Sequence, residues 1–296
     1  MCLRSSALDD FFQPIKKIPV KVINHRLIQD DGAPVPFKAS PNTGGVLHAR
    51  WLVMHYTGGR SAESSVAWLL NPQSRASAHV LIGRYGGIIQ MVPFNIVAWH
   101  AGMSTWQNVN SLNQHSIGIE LDNAGRLDKI AGKWVSPLKI MMPDDQVRVG
   151  NHKHDLLGTQ PTGWQTYTPQ QIESAFAVAQ ALVAQYDLED VLGHDDIAPG
   201  RCLDPGPDFP LEHLRTTLFG HQNDSPPIFL ARAMLTVRSG PGTEFPSLPG
   251  SPIRAGTRVQ ALEQQGLWWK VDVLDEANGV VDLVGWCHGR HLMAEA

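Results

Sequence analysis

GHDDIAPGRCLDPGP, residues 193–207, sets an imidazole, His194, and a carboxylate, Asp204, on either side of a turn containing Pro199 and Gly200, and a stiff Pro-Gly-Pro follows at once. Such a loop can aim two side chains at one point. Neutral imidazole and carboxylate oxygen are ordinary ligands for Zn²⁺, and a catalytic zinc site takes about three protein ligands with one position left open. His55 is the candidate third ligand: it ends the apolar, strand-like run WLVM, residues 51–54, and precedes Gly58 and Gly59. An imidazole is thereby placed at a strand end beside a flexible loop. Read alone, a Gly-His-Asp turn of this kind is more often a capped loop than a metal site.

Outward from these two stretches, strands and helices alternate. Arg50 to His55 reads as a central strand. Ser61 to Leu70 follows as a helix with Ser61 as N-cap, Val66, Leu69 and Leu70 on one face, and Asn71 and Pro72 at its end. Ala78 to Arg84 and Gly87 to Val92 are apolar runs split by Tyr85 and Gly86, the break expected of a hairpin. His79 sits inside the first run, where a hydrogen-bonded core histidine is the simplest reading. Ser116 to Leu121 alternates as a strand carrying Glu120 near its end, which on its own reads as a surface charge. Residues 124–164 look like an insertion, and its His152-Lys153-His154-Asp155 quartet reads as a solvent-exposed or substrate-flanking loop, with no third ligand adjacent. Thr168 to Gln171 resembles a capping box with Pro169 at the first helical position. The helix it opens carries Ile172, Phe176, Ala179, Leu182 and Val183 on its apolar face through about Tyr186.

The words HYT (55–57), SAHVLI (77–82), AWHAG (98–102), SIGIEL (116–121) and GHDDIAPGRCLDPGP (193–207) resemble, in order, the type-2 N-acetylmuramoyl-L-alanine amidases, zinc enzymes related to the peptidoglycan recognition proteins. They span about Ala49 to Pro210. The resemblance implies an α/β domain over residues 1–222, with a mixed central sheet flanked by helices. It also implies Zn²⁺ on His55, His194 and Asp204, with Glu120 opposite the metal as general base. His79, Trp99 and His100 would lie near the substrate cleft, and the bond cut would join the lactyl group of N-acetylmuramic acid to L-alanine of the stem peptide. One position departs from the family. A lysine commonly stands two residues before the aspartate, where it is thought to stabilise an oxyanion, and here that catalytic position is Cys202. A thiol brings no fixed positive charge, so the expectation is either that Arg201 or a residue of the 124–164 insertion substitutes or that activity is weak. Cys202 as an alternative zinc ligand fits the register less well than Asp204.

Beyond residue 210 a short helix from Leu211 to Leu218 and a polar linker, GHQNDSPP (220–227), lead into a tail of different character. Its β-like runs, 233–237, 258–262, 267–273 and 284–292, are separated by glycine-rich turns and predict a small all-β barrel over residues 223–296. LTVRSGPGTEFPSL, AGTRVQAL, WWKVDV and GWCHGRHL resemble the bacterial SH3-like modules that accompany wall hydrolases. Trp268, Trp269 and Trp286 read either as a ligand groove or as barrel core.

Composition bounds the alternatives. Hydrophobic residues at 43% and charged ones at 18% of 296 suffice for a buried core. A net charge of -4 without a basic block gives no footprint for nucleic acid. Three cysteines, Cys2, Cys202 and Cys287, without Cys-x-x-Cys spacing indicate neither a disulfide framework nor a cysteine metal cluster. No secretory h-region and no run of about 18 apolar residues is present, so no membrane insertion is expected. Synthesis in the cytoplasm, and action on the wall after lysis or export by another route, is the reading that follows. The expected partner is peptidoglycan or muropeptides, and the oligomeric state is left open. Two rivals stand beside the wall hydrolase: a recognition protein that grips peptidoglycan without cutting it, and a cytosolic recycling amidase acting on soluble anhydro-muropeptides. The SH3-like tail argues against the second.

Overall fold

The computed structural model describes residues 20–153, 162–220, 228–280 and 283–294. The chain divides into two compact units, Met1–Gly220 and His221–Ala296. Seven of the eight residues expected as linker, 221–227, lie outside the described residues, as do Cys2, the first ten residues, His154 and Asp155.

The first unit is built on a five-stranded sheet in the order Asp190–Gly193, Trp51–Tyr56, Ser116–Leu121, Val80–Ile82, Ile88–Gln90. The first four strands run parallel, and the last closes the expected hairpin antiparallel, Val80 opposite Gln90 and Ile82 opposite Ile88. It is therefore a mixed sheet, and helices flank it. Strand alternation sorts the side chains. Leu52, Met54, Ile117, Ile119, Val80 and Ile82 join Ala175, Val178, Ala179 and Leu182 of the helix Pro169–Tyr186 in the main core. Trp51, Val53 and Leu192 project to the other face with Ala101, Leu112 and Ile197.

The helix signals hold with one correction. Ser61 caps Ala62–Leu69 through a reciprocal pair with Ser64. Thr168 accepts from Gln171 N at 3.1 Å, but the Gln171 amide does not return to the cap. It donates instead to the carbonyls of Ile82 and Asp122 at 3.1 and 3.0 Å, while Ser174 donates to Gly86. These polar bonds turn the helix so that Gln171, Ser174, Ala175, Val178, Ala179 and Leu182 are buried, with Ile172, Phe176 and Val183 on the flank of that stripe.

The insertion is a sheet of its own. Met141–Met142, Lys133–Val135, Arg126–Ile130, Thr162–Gln165 and Val147–Gly150 pair antiparallel in that order over a small cluster of Ala124, Leu127 and Trp134. No helix among the described residues is long and apolar enough to cross a membrane.

The second unit is all β: Leu283–His288, Trp268–Val273, Arg258–Gln265, Ile228–Ala231 and Leu292–Ala294, antiparallel throughout. Val237, Val259, Val271, Val273 and Cys287 form its core, against which Trp269 packs. Register sets Trp269 opposite Cys287, and Trp268 and Trp286 opposite His288 and Lys270 on the alternate face. The three tryptophans therefore divide: one is core, and two stand on the other face, half-buried.

Candidate metal centre

His55, Glu120 and His194 meet because three neighbouring parallel strands end together. Glu120 lies directly opposite His55 in the paired register, and Gly193, opposite Met54, delivers His194 one residue later. Alternation puts all three on the face that carries Trp51 and Val53. The carboxyl ends of parallel strands are where open α/β sheets place their ligand sites. Asp204 arrives on the returning loop, held by Asp195 N donating to the Asp204 carbonyl at 2.9 Å.

The ligand atoms form a tight triangle. His55 Nδ1 and His194 Nδ1 stand 3.0 Å apart, and each lies 2.9 Å from Asp204 Oδ2. These three residues are the group among the described ones with the spacing to hold a metal ion. The far ring nitrogens are engaged: His194 Nε2 faces the Ala101 carbonyl at 3.1 Å, and His55 Nε2 faces His100 Nδ1 at 3.0 Å. A carbonyl only accepts, and although Arg201 Nη2 stands 3.2 Å from the same nitrogen its two hydrogens go to the Ala101 and Met103 carbonyls, so His194 Nε2 carries a hydrogen and its neutral ring turns a lone pair inward. Three acceptors then converge with no donor between them, which is repulsive unless a cation sits there, and the residues present fit a divalent metal. Without a cation a proton must stand in. Burial alone would lower His194, but its hydrogen bonds to Asp204 and Cys202 raise it to about 10. Burial and the neighbouring His194 hold His55 down to about 4.

Glu120 is tuned by the same burial, which lifts it to about 8 with the Asp204 charge adding to the effect. Its Oε2 is sealed from solvent and has no hydrogen-bond partner. A buried unpaired carboxylate oxygen costs stability, and such groups cluster at functional sites.

The family profile for N-acetylmuramoyl-L-alanine amidases matches residues 46–207, more than half of the chain, and that span holds the whole triangle and Glu120. The chain belongs to this amidase family. It is 35% identical over 172 residues to the N-acetylmuramoyl-L-alanine amidase AmiD of Escherichia coli K12, covering 55% of this chain and 51% of AmiD. It is 31% identical over 173 residues to the 1,6-anhydro-N-acetylmuramyl-L-alanine amidase AmpD of the same organism, covering 58% of this chain and 74% of AmpD. The chain thus spans about half the length of AmiD. Among solved structures, the E. coli AmiD complex with anhydro-N-acetylmuramic acid-L-Ala-D-gamma-Glu-L-Lys aligns with a TM-score of 0.42 at 30% identity, covering 66% of this chain and 64% of that one.

Within the amidase frame, His79 is the hydrogen-bonded core histidine that its strand predicts, while Trp99 and His100 are half-buried. His79 is completely buried, accepting from Gly118 N and donating to the Ile96 carbonyl, both at 3.0 Å, so no ring nitrogen remains for a substrate. Burial lowers it to about 4 and keeps it neutral. Trp99 packs on the main core, and His100 turns its ring to His55. Cys202 rests its Sγ 3.3 Å from His194 Nε2, the nitrogen facing away from the triangle, which removes it as an alternative ligand. Arg201 spends its Nη2 on the carbonyls of Ala101 and Met103, each at 2.8 Å, tying the metal loop to the 98–103 segment.

Of the 152–155 quartet, the described residues His152 and Lys153 depart from the loop reading. His152 is buried and bonds Asp195 at 2.9 Å, while Lys153 reaches Asp195 at 3.0 Å and Asp196 at 2.6 Å. Arg148 adds a bond to the Pro207 carbonyl at 2.8 Å. The insertion sheet therefore clasps the loop that carries two of the three ligands. Two acidic residues directly after His194, with a His-Lys pair upstream, were the signal that a sequence reading had available for it.

Proposed function

We propose that the chain is a zinc-dependent N-acetylmuramoyl-L-alanine amidase that hydrolyses the amide between the lactyl group of N-acetylmuramic acid and L-alanine of the stem peptide. The convergence of His55 Nδ1, His194 Nδ1 and Asp204 Oδ2 beside the unpaired Glu120 carboxyl carries this reading. Their mutual separations of 2.9–3.0 Å are close to the roughly 3.3 Å between ligand atoms that bonds of about 2.0–2.1 Å give on tetrahedral zinc. When bound, zinc supplies Lewis-acid polarisation of the scissile carbonyl and makes water acidic enough to act near neutral pH. Glu120 takes a proton from the attacking water. The water oxygen joins the lactyl carbonyl carbon, the C–N bond breaks, and Glu120 returns the proton to the alanine nitrogen. Muropeptides and peptidoglycan are the substrate class, in keeping with the names of AmiD and AmpD.

Mass spectrometry of sacculi and of soluble muropeptides incubated with the protein tests the reading. Free stem peptides are expected, and a zinc chelator should abolish them. Binding to either substrate without cleavage would instead make the protein a peptidoglycan-recognition module.

We assign residues 1–222 to the amidase domain and residues 223–296 to an SH3-like wall-binding domain. The reading rests on the five antiparallel strands and on Trp268 and Trp286, which stand on the face opposite the core. Deleting residues 223–296 should abolish sacculus binding and leave cleavage of soluble muropeptides intact. Unchanged sacculus binding would favour a recycling amidase that acts on soluble anhydro-muropeptides.

A further inference from the structure

The segment Ala98–Gly102 touches both histidine ligands on the side turned away from the triangle, and its bonds run in one direction only. Ser116 Oγ donates its hydrogen to the Leu112 carbonyl at 2.6 Å, so toward His100 it offers only lone pairs. The Ser116 carbonyl offers the same. His100 Nε2 faces these two oxygens at 3.3 and 3.4 Å and must therefore be the donor. A neutral imidazole has one N–H, so His100 Nδ1 accepts, and the bond it accepts at 3.0 Å comes from His55 Nε2. His55 is thereby left with its lone pair on Nδ1, inside the triangle. One residue further along, the Ala101 carbonyl fixes His194 in the same sense, with Nε2–H outward and the Nδ1 lone pair inward.

The segment is itself held. Asn113 Oδ1 accepts from His100 N at 2.9 Å and from Ala101 N at 2.7 Å, so a single side-chain oxygen sets the height of both orienting groups. Behind them the strand makes room. Gly118 lies mid-strand, where glycine weakens pairing, and a Cβ there would come within 2.4 Å of His100 Cγ. His79 accepts from Gly118 N at 3.0 Å, and its ring stands edge-on to His100 with centroids 5.9 Å apart.

We propose that residues 98–102 are the orienting loop of the metal centre. In this assignment His100 and the Ala101 carbonyl determine which nitrogen His55 and His194 present to the metal, and Asn113 holds the loop in register. His100 and Asn113 are positioning residues, placed behind the ligands. The identity of the cation rests on the zinc reading above. Metal-ligating histidines commonly bond their other nitrogen to a carboxylate or carbonyl, and losing such a partner weakens metal binding by about 10- to 100-fold. Here one of those partners is a second histidine, which conveys the direction set by the Ser116 oxygens.

Zinc dissociation constants, measured by chelator competition on folded variants, test this assignment. His100→Phe keeps an aromatic ring but has neither acceptor nor donor, and should bind zinc about 10- to 100-fold more weakly, whereas His100→Gln, with an amide oxygen and N–H, should stay within about threefold of wild type. Asn113→Ala should weaken zinc by about tenfold with His100 in place. Long-range ¹H–¹⁵N correlation on the zinc-loaded wild type should find the ring hydrogen of both His55 and His194 on Nε2. A hydrogen on Nδ1 of either ring, wild-type affinity in His100→Phe, or equal loss in His100→Gln and His100→Phe would overturn the proposal. The two readings fail separately. A wild type that binds zinc but cleaves no muropeptide overturns the amidase reading alone, and a His100→Phe variant with undiminished zinc affinity overturns the orienting loop alone.

Discussion

Replacing Glu120 by glutamine is expected to lower turnover by about 10²- to 10⁴-fold, the range general-base catalysis supplies, and to leave zinc bound. Glu120 is not one of the three converging ligands, so the metal has no direct stake in it. Its carboxyl lies level with His55 on the adjacent strand and keeps one oxygen free of any partner, the arrangement a proton carrier needs. Stability should move in the opposite direction. Burial raises Glu120 from 4.5 to about 8 in the folded protein. Below pH 4.5 the group is protonated whether the chain is folded or not, and contributes nothing. As pH rises from there to about 8, the unfolded chain ionises freely while the folded one resists, so the wild type loses stability across that window and no further above it. Each tenfold difference in proton affinity is worth about 1.4 kcal/mol, and solvent at the partly exposed end of the side chain screens the effect, leaving a penalty on the order of 2 kcal/mol. Metal-free Glu120→Gln should therefore melt above metal-free wild type at pH 8 and together with it near pH 4.5. Thermal melts at the two pH values, with turnover and zinc content of the same preparations, check all three parts. Retained turnover would remove Glu120 from the reaction.

The sequence made the strands of the main sheet, the helix caps and the candidate metal ligands legible because each is local or is marked by residue type. Ser61 caps its helix in place, His55 ends an apolar run, and the 193–207 turn announces its imidazole and carboxylate. What stayed hidden depends on partners far along the chain. His79 reads as a bonded core histidine from its strand and is one. His100 stands in a word shared with the family and so suggested substrate contact, yet its nitrogens are taken by His55 and Ser116, which no local pattern connects to it. His152 read as a loop residue because its partner, Asp195, is 43 positions away, and only the folded insertion sheet brings the two to 2.9 Å. The same holds for Gln171, whose helical register depends on carbonyls at the ends of two strands. Ligand type is written in sequence, whereas the direction in which a ring or carboxyl points is decided by burial and by distant acceptors.

Replacing Cys202 by lysine is expected to raise turnover, by about tenfold to a hundredfold, without altering zinc content. By the resemblance a lysine commonly stands at this position, two residues before Asp204, and among the described residues the cations bonded around this loop, Arg201 and Lys153, are engaged with other groups. Arg201 is closest in sequence, but its Nη2 is committed to the Ala101 and Met103 carbonyls. Lys153 is committed to Asp195 and Asp196. A preorganised donor aimed at a developing oxyanion is typically worth about 10² to 10³ in rate, and a lysine newly placed without its evolved surroundings should recover part of that. Cys202 is only partly buried, so a longer side chain has an outlet. Its Sγ contact with His194 Nε2 would be lost, but the Ala101 carbonyl continues to hold that nitrogen, which is why zinc binding should persist. Replacement by methionine supplies the control, because it adds length without charge and should leave turnover at or below wild type. Equal rates in the lysine and methionine variants would mean that the oxyanion is stabilised by something other than a charge at position 202, and Arg201, held against the loop carbonyls but still cationic, would then be the next residue to test.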